Sequence, residues 1–305
     1  MTLREAAQYI QELGECEWWV LKKVFYYTKN YERIPLKLLV KQNIFKEEYL
    51  RRCIKRLHKY GLVEFFQQPY ESLRLYTRGA DILALKRFSD RGLVQGIGRQ
   101  IGIGKESDIY EVLGFDNKRY SLKVFRLGRI SFRQVRKKRE YGSVDRWIPW
   151  IQRNISAAKR EFEILRHLYL RGAPVPRPVY RVMHMVLMDF LDGSLLNDID
   201  LDDKDVIQVM ERIISCIRVV YDLGYVNGDL SQFNIFVLKD GDIVLIDWPQ
   251  AIKLDDPRSE QLLKRDIENT VKYFVRKYGV THDQIIKILR KYGFQNMVDL
   301  KFGLK

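Results

Sequence analysis

The chain has 305 residues, 46% hydrophobic and 30% charged, with a formal net charge of +15. That length suits two or three domains, and the balance of apolar and charged residues excludes a disordered or fibrous chain. No apolar run reaches the about 20 residues needed to span a bilayer, and residues 1–7 lack the charged-then-apolar pattern of a secretory signal.

Helical spacing opens the chain. Leu3, Ala6, Ala7, Ile10 and Leu13 recur every three or four residues, and Gly14 ends the run. Trp18, Trp19, Leu21, Val24, Phe25 and Tyr27 predict a second helix; Pro35 stands where a third could begin, ahead of Leu36, Leu38, Leu39 and Val40. A helix over 45–60, closed by Gly61, places Tyr49, Leu50, Cys53, Ile54 and Leu57 on one face and Lys46, Arg51, Arg52, Lys55, Arg56 and Lys59 on the other. Strands follow at 62–66 and 73–77, joined by a turn, then a helix over 80–88. Helices, a basic helix and a hairpin make a winged helix-turn-helix. The basic helix is a candidate nucleic-acid contact; a merely solvated face and a protein partner are the other readings. The net charge favours phosphate backbones through counterion release, and no amphipathic helix with an aromatic face points to a membrane surface instead.

A joint at 89–92 leads to strands at 100–104, 108–113 and 119–125, then to basic segments and a helix over 157–170. Pro174, Pro176 and Pro178 break the chain before strands at 179–183 and 185–190. A helix over 204–223, a short hairpin and two helices (260–278 and 282–292) complete it. The expected class is α+β, with a winged helix over 1–90 and a two-lobed protein-kinase-like domain, its N-lobe at 91–190 and its C-lobe at 191–305. Nucleotide is expected between the lobes. Cys16, Cys53 and Cys216 are odd in number and far apart, which reads as buried thiols in a reducing, cytoplasmic setting. His58, His167, His184 and His282 show no ligand spacing, so zinc is not expected.

The chemistry is concentrated in Asn227-Gly228-Asp229-Leu230-Ser231-Gln232-Phe233-Asn234 and Leu245-Ile246-Asp247-Trp248. Asp229 is placed to accept a hydroxyl proton or orient a nucleophile, and Asn234 and Asp247 offer oxygens to a divalent cation on a triphosphate. Upstream, Gly102-Ile103-Gly104-Lys105-Glu106-Ser107-Asp108 lies between two strands. Its glycines allow close approach and unusual φ/ψ, and its N–H groups and the Ser107 hydroxyl suit phosphate oxygens. A plain glycine hairpin is the alternative. Lys123 sits in the apolar strand Leu122-Lys123-Val124-Phe125, with Ser121, Lys123 and Phe125 on one face. It is either a phosphate ligand held by a helix carboxylate or a surface lysine on an edge strand. Glu161 is the candidate carboxylate and Glu163 its competitor, with Phe162, Leu165 and Tyr169 marking the buried side. Backbone groups around Asp189 and Leu191, with Met188 behind them, fit an adenine-binding connector.

These strings, together with Ile246-Asp247-Trp248-Pro249-Gln250 and the Asp81-Ile82-Leu83-Ala84-Leu85-Lys86 run, resemble the second subfamily of the RIO atypical kinases over nearly the whole chain. The resemblance implies a winged helix joined to a reduced kinase domain that uses ATP with Mg2+ or Mn2+. It implies action on pre-ribosomal particles in small-subunit rRNA maturation, as a serine/threonine kinase or an ATPase switch. It gives Lys123 to the phosphates with Glu161 as its partner, Ser107 to the phosphates, Asp229 to catalysis, and Asn234 and Asp247 to metal. Residues 128–155 correspond to a flexible basic insert. Two positions depart from the pattern: Asn227 stands where histidine is usual and is expected to alter packing rather than chemistry, and Trp248 replaces phenylalanine. No activation segment with Ala-Pro-Glu follows, which argues against a broad peptide kinase. A small-molecule phosphotransferase of the aminoglycoside or choline kinase type, and a nucleic-acid-binding regulator with a nucleotide-sensing lobe, are the competing functions.

Overall fold

The structure, a computed structural model, describes residues 3–127 and 150–297. The chain divides into two compact units, one comprising residues up to 159 with 180–187, the other 160–179 with the residues from 188 onward.

The first unit begins with α1 (Leu3–Gln8), a short 3-10 turn and α2 (Glu15–Tyr27). The residue expected to start a third helix instead forms a strand. Pro35 belongs to β1 (Ile34–Pro35), opposite Ser72, and the helix α3 starts after it at Lys37–Val40. Proline is tolerated in such a strand because it sits at a sheet edge. The next helix, α4 (Glu47–Lys59), buries Leu50, Cys53, Ile54 and Leu57, the one stripe that its 3.6-residue period supplies. Strands β2 (Val63–Phe66) and β3 (Ser72–Leu75) pair antiparallel, and β1 completes a three-stranded sheet in the order β1-β3-β2. The helix α5 runs Thr77–Asp90, longer at both ends than its apolar pattern suggests, and buries Asp81 along with Ile82, Leu83, Ala84 and Leu85.

The same unit contains most of a five-stranded sheet. Its strands are β4 (Gly96–Ile103), β5 (Ser107–Leu113), β6 (Arg119–Phe125), β7 (Pro178–Val182) and β8 (Met185–Asp189), in the order β4-β5-β6-β8-β7. The start of α6 (Trp150–Tyr169) also belongs here, and its Asn154 accepts the Leu127 N–H at 2.7 Å. Residues 128–149 of the expected basic insert lie outside the described residues; its last six open α6.

The second unit is built on α7 (Asp203–Asp222), whose Val206, Val209, Met210, Ile213, Ile214, Ile217 and Val220 form a buried stripe. Around it lie β9 (Gly193–Leu195), β10 (Tyr225–Val226), β11 (Ile235–Leu238), β12 (Ile243–Leu245) and β13 (Ile252–Lys253), then α8 (Ser259–Tyr278) and α9 (His282–Lys291). The α8 helix ends at Gly279 in the left-handed conformation, and α9 starts with a capping box between Thr281 and Gln284. Cys16, Cys53 and Cys216 are free thiols. Among the described residues no helix is long and apolar enough to cross a membrane.

Gly79 of α5 has no room for a side chain: a Cβ there would lie 2.2 Å from the Leu62 carbonyl oxygen. Gly79→Ala is therefore expected to lower stability by about 2 kcal/mol, overriding the about 1 kcal/mol that alanine gains over glycine in a helix. Urea unfolding checks this, and a stabilised variant would contradict the close approach.

Candidate functional site

Each unit carries part of the expected site. In the first, Lys123 lies on β6, which is the middle strand of its sheet and not an edge. It is only 4% exposed, so the surface-lysine reading does not hold. Its Nζ lies 5.2 Å from the Phe125 ring centroid, on the face the strand alternation predicts. Burying an ammonium is costly without compensation, which makes this position a chemical commitment of the fold.

The glycine loop joins β4 to β5, and the Gly104 N–H donates to the Ser107 carbonyl at 2.8 Å. Neither Gly102 nor Gly104 takes a positive φ, contrary to the expected unusual backbone. What the glycines provide is space: a Cβ on Gly104 would sit 3.2 Å from the Ser107 oxygen, and one on Gly102 would sit 3.3 Å from Ile109. Lys105 is exposed at the middle of the loop, and Ser107 is half-buried where β5 begins.

In the second unit, Glu161 is 1% exposed whereas Glu163 faces solvent. Leu165 is buried with Glu161, but Tyr169 is exposed because it is the last residue of α6. Met188 is buried. The Asp189 N–H is already donated to the Arg177 carbonyl at 3.0 Å, and its carboxylate takes both arms of the Arg177 guanidinium at 2.7 and 2.8 Å. A base contact at Asp189 would therefore come from its carbonyl, with Leu191 two residues on.

The motif of Asp229 is held from three sides. Asn234 Nδ2 donates to the Asp229 carbonyl at 2.8 Å, which leaves its Oδ1 facing elsewhere. Asn227, buried, accepts the Asp229 N–H at 3.1 Å and donates Nδ2 to the Asp247 carbonyl at 3.1 Å. Asn227 thus ties the loop of Asp229 to the loop of Asp247. Asp247 is left-handed, with φ of 64°, a conformation carboxylate residues tolerate better than most. Behind it Trp248 is fully buried and donates its indole N–H to the Leu245 carbonyl at 2.8 Å. Asp229 itself is exposed.

The third support was missed in the sequence. Asp266 of α8 is buried and accepts the Gly228 N–H at 2.7 Å and the Leu230 N–H at 2.9 Å. Arg265 donates to the Gly228 carbonyl and Asn269 Nδ2 to the Leu230 carbonyl at 3.2 Å. The signal was available: Asp266 falls on the apolar stripe of Leu263, Ile267, Val271 and Phe274, where a carboxylate needs a reason to be. Burial raises its pKa from 3.8 to about 6, against the two N–H donors.

Of the six residues on the basic face of α4, Arg51 is spent on Glu47 and Glu71, and Arg56 reaches Glu17 and the Glu12 carbonyl. Arg52 lies 3.8 Å from Glu48. Lys46, Lys55 and Lys59 are exposed. A residue count along one face could not separate outward charges from those turned back on the protein.

Among the described residues no cluster of three or more His, Cys, Asp and Glu is arranged to hold a metal. Asn234 and Asp247 carry the type of oxygen donor that Mg2+ takes, an ion that binds few protein oxygens and completes its shell with phosphates and water.

A winged helix followed by a kinase-like domain of this kind defines an atypical kinase, an ATP-dependent phosphotransferase. The RIO domain family model matches residues 108–285, and the Rio2 N-terminal family model matches residues 10–91. The chain belongs to the RIO kinase family, in its Rio2 branch. It is 34% identical over 256 residues to the RIO-type serine/threonine-protein kinase Rio2 of Methanocaldococcus jannaschii, covering 83% of this chain and 93% of that one. It is 37% identical over 257 residues to the serine/threonine-protein kinase rio2 of Schizosaccharomyces pombe, covering 84% and 74%. Among solved structures, the Rio2 kinase of Chaetomium thermophilum in its ADP/Mg2+-phosphoaspartate complex superposes with a TM-score of 0.78 at 26% identity, covering 95% of this chain and 94% of that one.

A native carboxyl with a raised pKa holds its proton more tightly than the unfolded chain does. The Asp266 contribution to stability is therefore full below pH about 3.8 and lost as pH rises to about 6, a change of roughly 3 kcal/mol. Unfolding free energies measured between pH 4 and 6 should flatten in Asp266→Asn relative to the parent. A slope equal to the parent's would remove Asp266 as the titrating group.

Proposed function

We propose that the chain binds ATP with Mg2+ or Mn2+ and transfers its γ-phosphoryl group during maturation of the small ribosomal subunit, in the cytoplasm, with pre-ribosomal particles and their rRNA as partners. In this reading Gly102, Gly104, Lys105 and Ser107 meet the phosphates through backbone and side chain. Lys123 supplies the ammonium and Glu161 is the carboxylate assigned to it. Met188, the Asp189 carbonyl and Leu191 take the adenine. Asn234 and Asp247 hold the metal, which neutralises phosphate charge when bound. Asp229 orients the acceptor and takes its proton.

The observation that carries this reading is the bracing of the loop: Asn227 links Asp229 to Asp247, Asn234 is hydrogen-bonded to the Asp229 backbone, and Asp266 fixes the amides on either side of Asp229. Such bracing holds the Asn234 side chain and the backbone that carries Asp229 and Asp247, which is how positioned groups lower a phosphoryl-transfer barrier. Surface loop carboxylates would not require it.

The acceptor is a serine or threonine hydroxyl, water, or the Asp247 carboxylate. In the carboxylate route an aspartate oxygen bonds to the γ-phosphorus as the bond to the ADP oxygen breaks, and water then releases phosphate and regenerates the carboxylate. The phosphoaspartate complex of the Chaetomium thermophilum Rio2 kinase supports including that route. The exposed Lys46, Arg52, Lys55 and Lys59 of α4 are the residues we assign to rRNA; Arg51 and Arg56, also on that face, would first have to leave their carboxylates.

Asp229→Ala is expected to cut turnover by about two to four orders of magnitude with ATP affinity nearly intact; unchanged phosphate release would remove Asp229 from its role. Asp247→Ala should lose the metal dependence of ATP binding, which calorimetry with and without Mg2+ measures. Cosedimentation with small-subunit precursors, with and without ATP, tests the partner. Turnover of added aminoglycosides or choline would favour the small-molecule enzyme, and sequence-selective duplex binding without ATP turnover the regulator.

A further inference from the structure

A charged cluster buried in the first unit joins the winged helix to the glycine loop. Arg126, three residues beyond Lys123 on the same chain segment, donates Nη1 and Nη2 to Asp81 of α5 at 2.7 and 2.8 Å. Its Nε donates to Asp108, the residue after Ser107, at 3.3 Å. The Arg126 N–H donates to the Glu106 carbonyl inside the loop. His184 of the turn between β7 and β8 donates from Nε2 to Asp81 at 2.8 Å, and its carbonyl accepts the Phe125 N–H at 3.0 Å. The tautomer follows from the partner, since an ionised carboxylate only accepts. Asp81, Asp108 and His184 are buried, and the Arg126 side chain is 9% exposed. Burial opposes ionisation of Asp81, but Arg126 and His184 together hold it below the ordinary aspartate range.

We infer that Asp81 is a positioning residue for the nucleotide loop, and that through Arg126 it couples the winged helix energetically to triphosphate binding. The inference rests on the reading of Ser107 and Lys123 as phosphate ligands. A guanidinium with its fork filled by one carboxylate has one orientation, and it fixes both backbones it touches. Those two backbones are the ones that aim Ser107 and Lys123: Ser107 pairs with Phe125 and Ile109 with Lys123 across the β5–β6 ladder. The rest of the junction is tight as well. Arg91, which follows α5, donates to the Tyr180 hydroxyl at 3.1 Å, Phe88 meets the Tyr180 ring edge-on, and Gln152 of α6 donates to Thr28 at 3.4 Å. Coupling of this kind is reciprocal: whatever shifts α5 changes ATP affinity, and ATP changes the affinity of whatever binds the winged helix by the same factor.

The test combines hydrogen exchange on the parent protein with ATP binding by variants. Adding Mg2+–ATP to the parent should slow amide exchange within residues 79–85 as well as within 103–108; protection confined to the loop would overturn the coupling. Asp81→Asn should raise the KM for ATP by about tenfold with a much smaller change in kcat, and should abolish the protection of 79–85. If Asp81→Asn is unfolded at the assay temperature, Arg126→Lys, which keeps the charge and loses the fork, is measured in its place. ATP affinity within twofold of the parent in a folded variant would sink the inference. Lys123→Ala separates this from the underlying assignment: should it bind ATP like the parent, the phosphate reading itself is wrong, whereas loss of binding there with no effect at Asp81 overturns only the positioning role.

Discussion

The loop of Asp229 is anchored from below by one buried carboxylate. Asp266 stands on the apolar stripe of α8 and receives two amide hydrogens from the chain around Asp229. Those amides are buried, and leaving a buried N–H unpaired costs about 1–3 kcal/mol each. The carboxylate satisfies both at once, at the expense of its own desolvation, which is why its pKa rises to about 6. The backbone of Gly228 is left-handed at φ 79°, a turn that brings the two N–H groups onto one acceptor. Asp229 projects from a segment that has no other place to go.

The first unit solves the same problem with a different composition. Arg126 and Asp81 are both charged and both withdrawn from water, an arrangement that is weak evidence for stability because desolvation offsets most of the attraction. Replacing such a pair with apolar residues often costs nothing in stability. A fork of two short hydrogen bonds with a third to Asp108 gives something that apolar packing cannot, a single orientation of the segment after β6 against β5 and α5. Geometry rather than stability explains a buried ion pair here.

Membership of the Rio2 branch accounts for the order of the motifs, but this chain uses some of its own side chains to hold them. Asn227 is the clearest case. Its amide has an acceptor and a donor on one rigid plane, so it bonds to the Asp229 N–H and the Asp247 carbonyl together. An imidazole can also bridge two groups, but it changes charge near neutral pH, whereas an amide does not. In this chain those two bonds hold the loops of Asp229 and Asp247 together.

The amino-acid sequence by itself determined the elements whose signal is local. The α4 stripe and the strand of Lys123 follow from residues within one or two turns of each other, and Asp229, Asn234 and Asp247 fall within one 19-residue stretch. The spacing and strings also carried the family. The sequence did not determine which charges are spent on the protein. Arg51 and Arg56 look the same as Lys55 until Glu71 and Glu17 are brought beside them. Glu161 and Glu163 differ only in which side of α6 becomes buried, and Pro35 became a strand because Ser72 was there to pair with it. Asp81 enters the sequence reading only within a family string and Asp266 only within a helix, since their partners lie 45 and about 37 positions away. Buried polar groups are decided by tertiary structure for a physical reason: the cost of withdrawing a charge from water depends on what meets it there, and contacts between distant segments of the chain supply that partner only after folding.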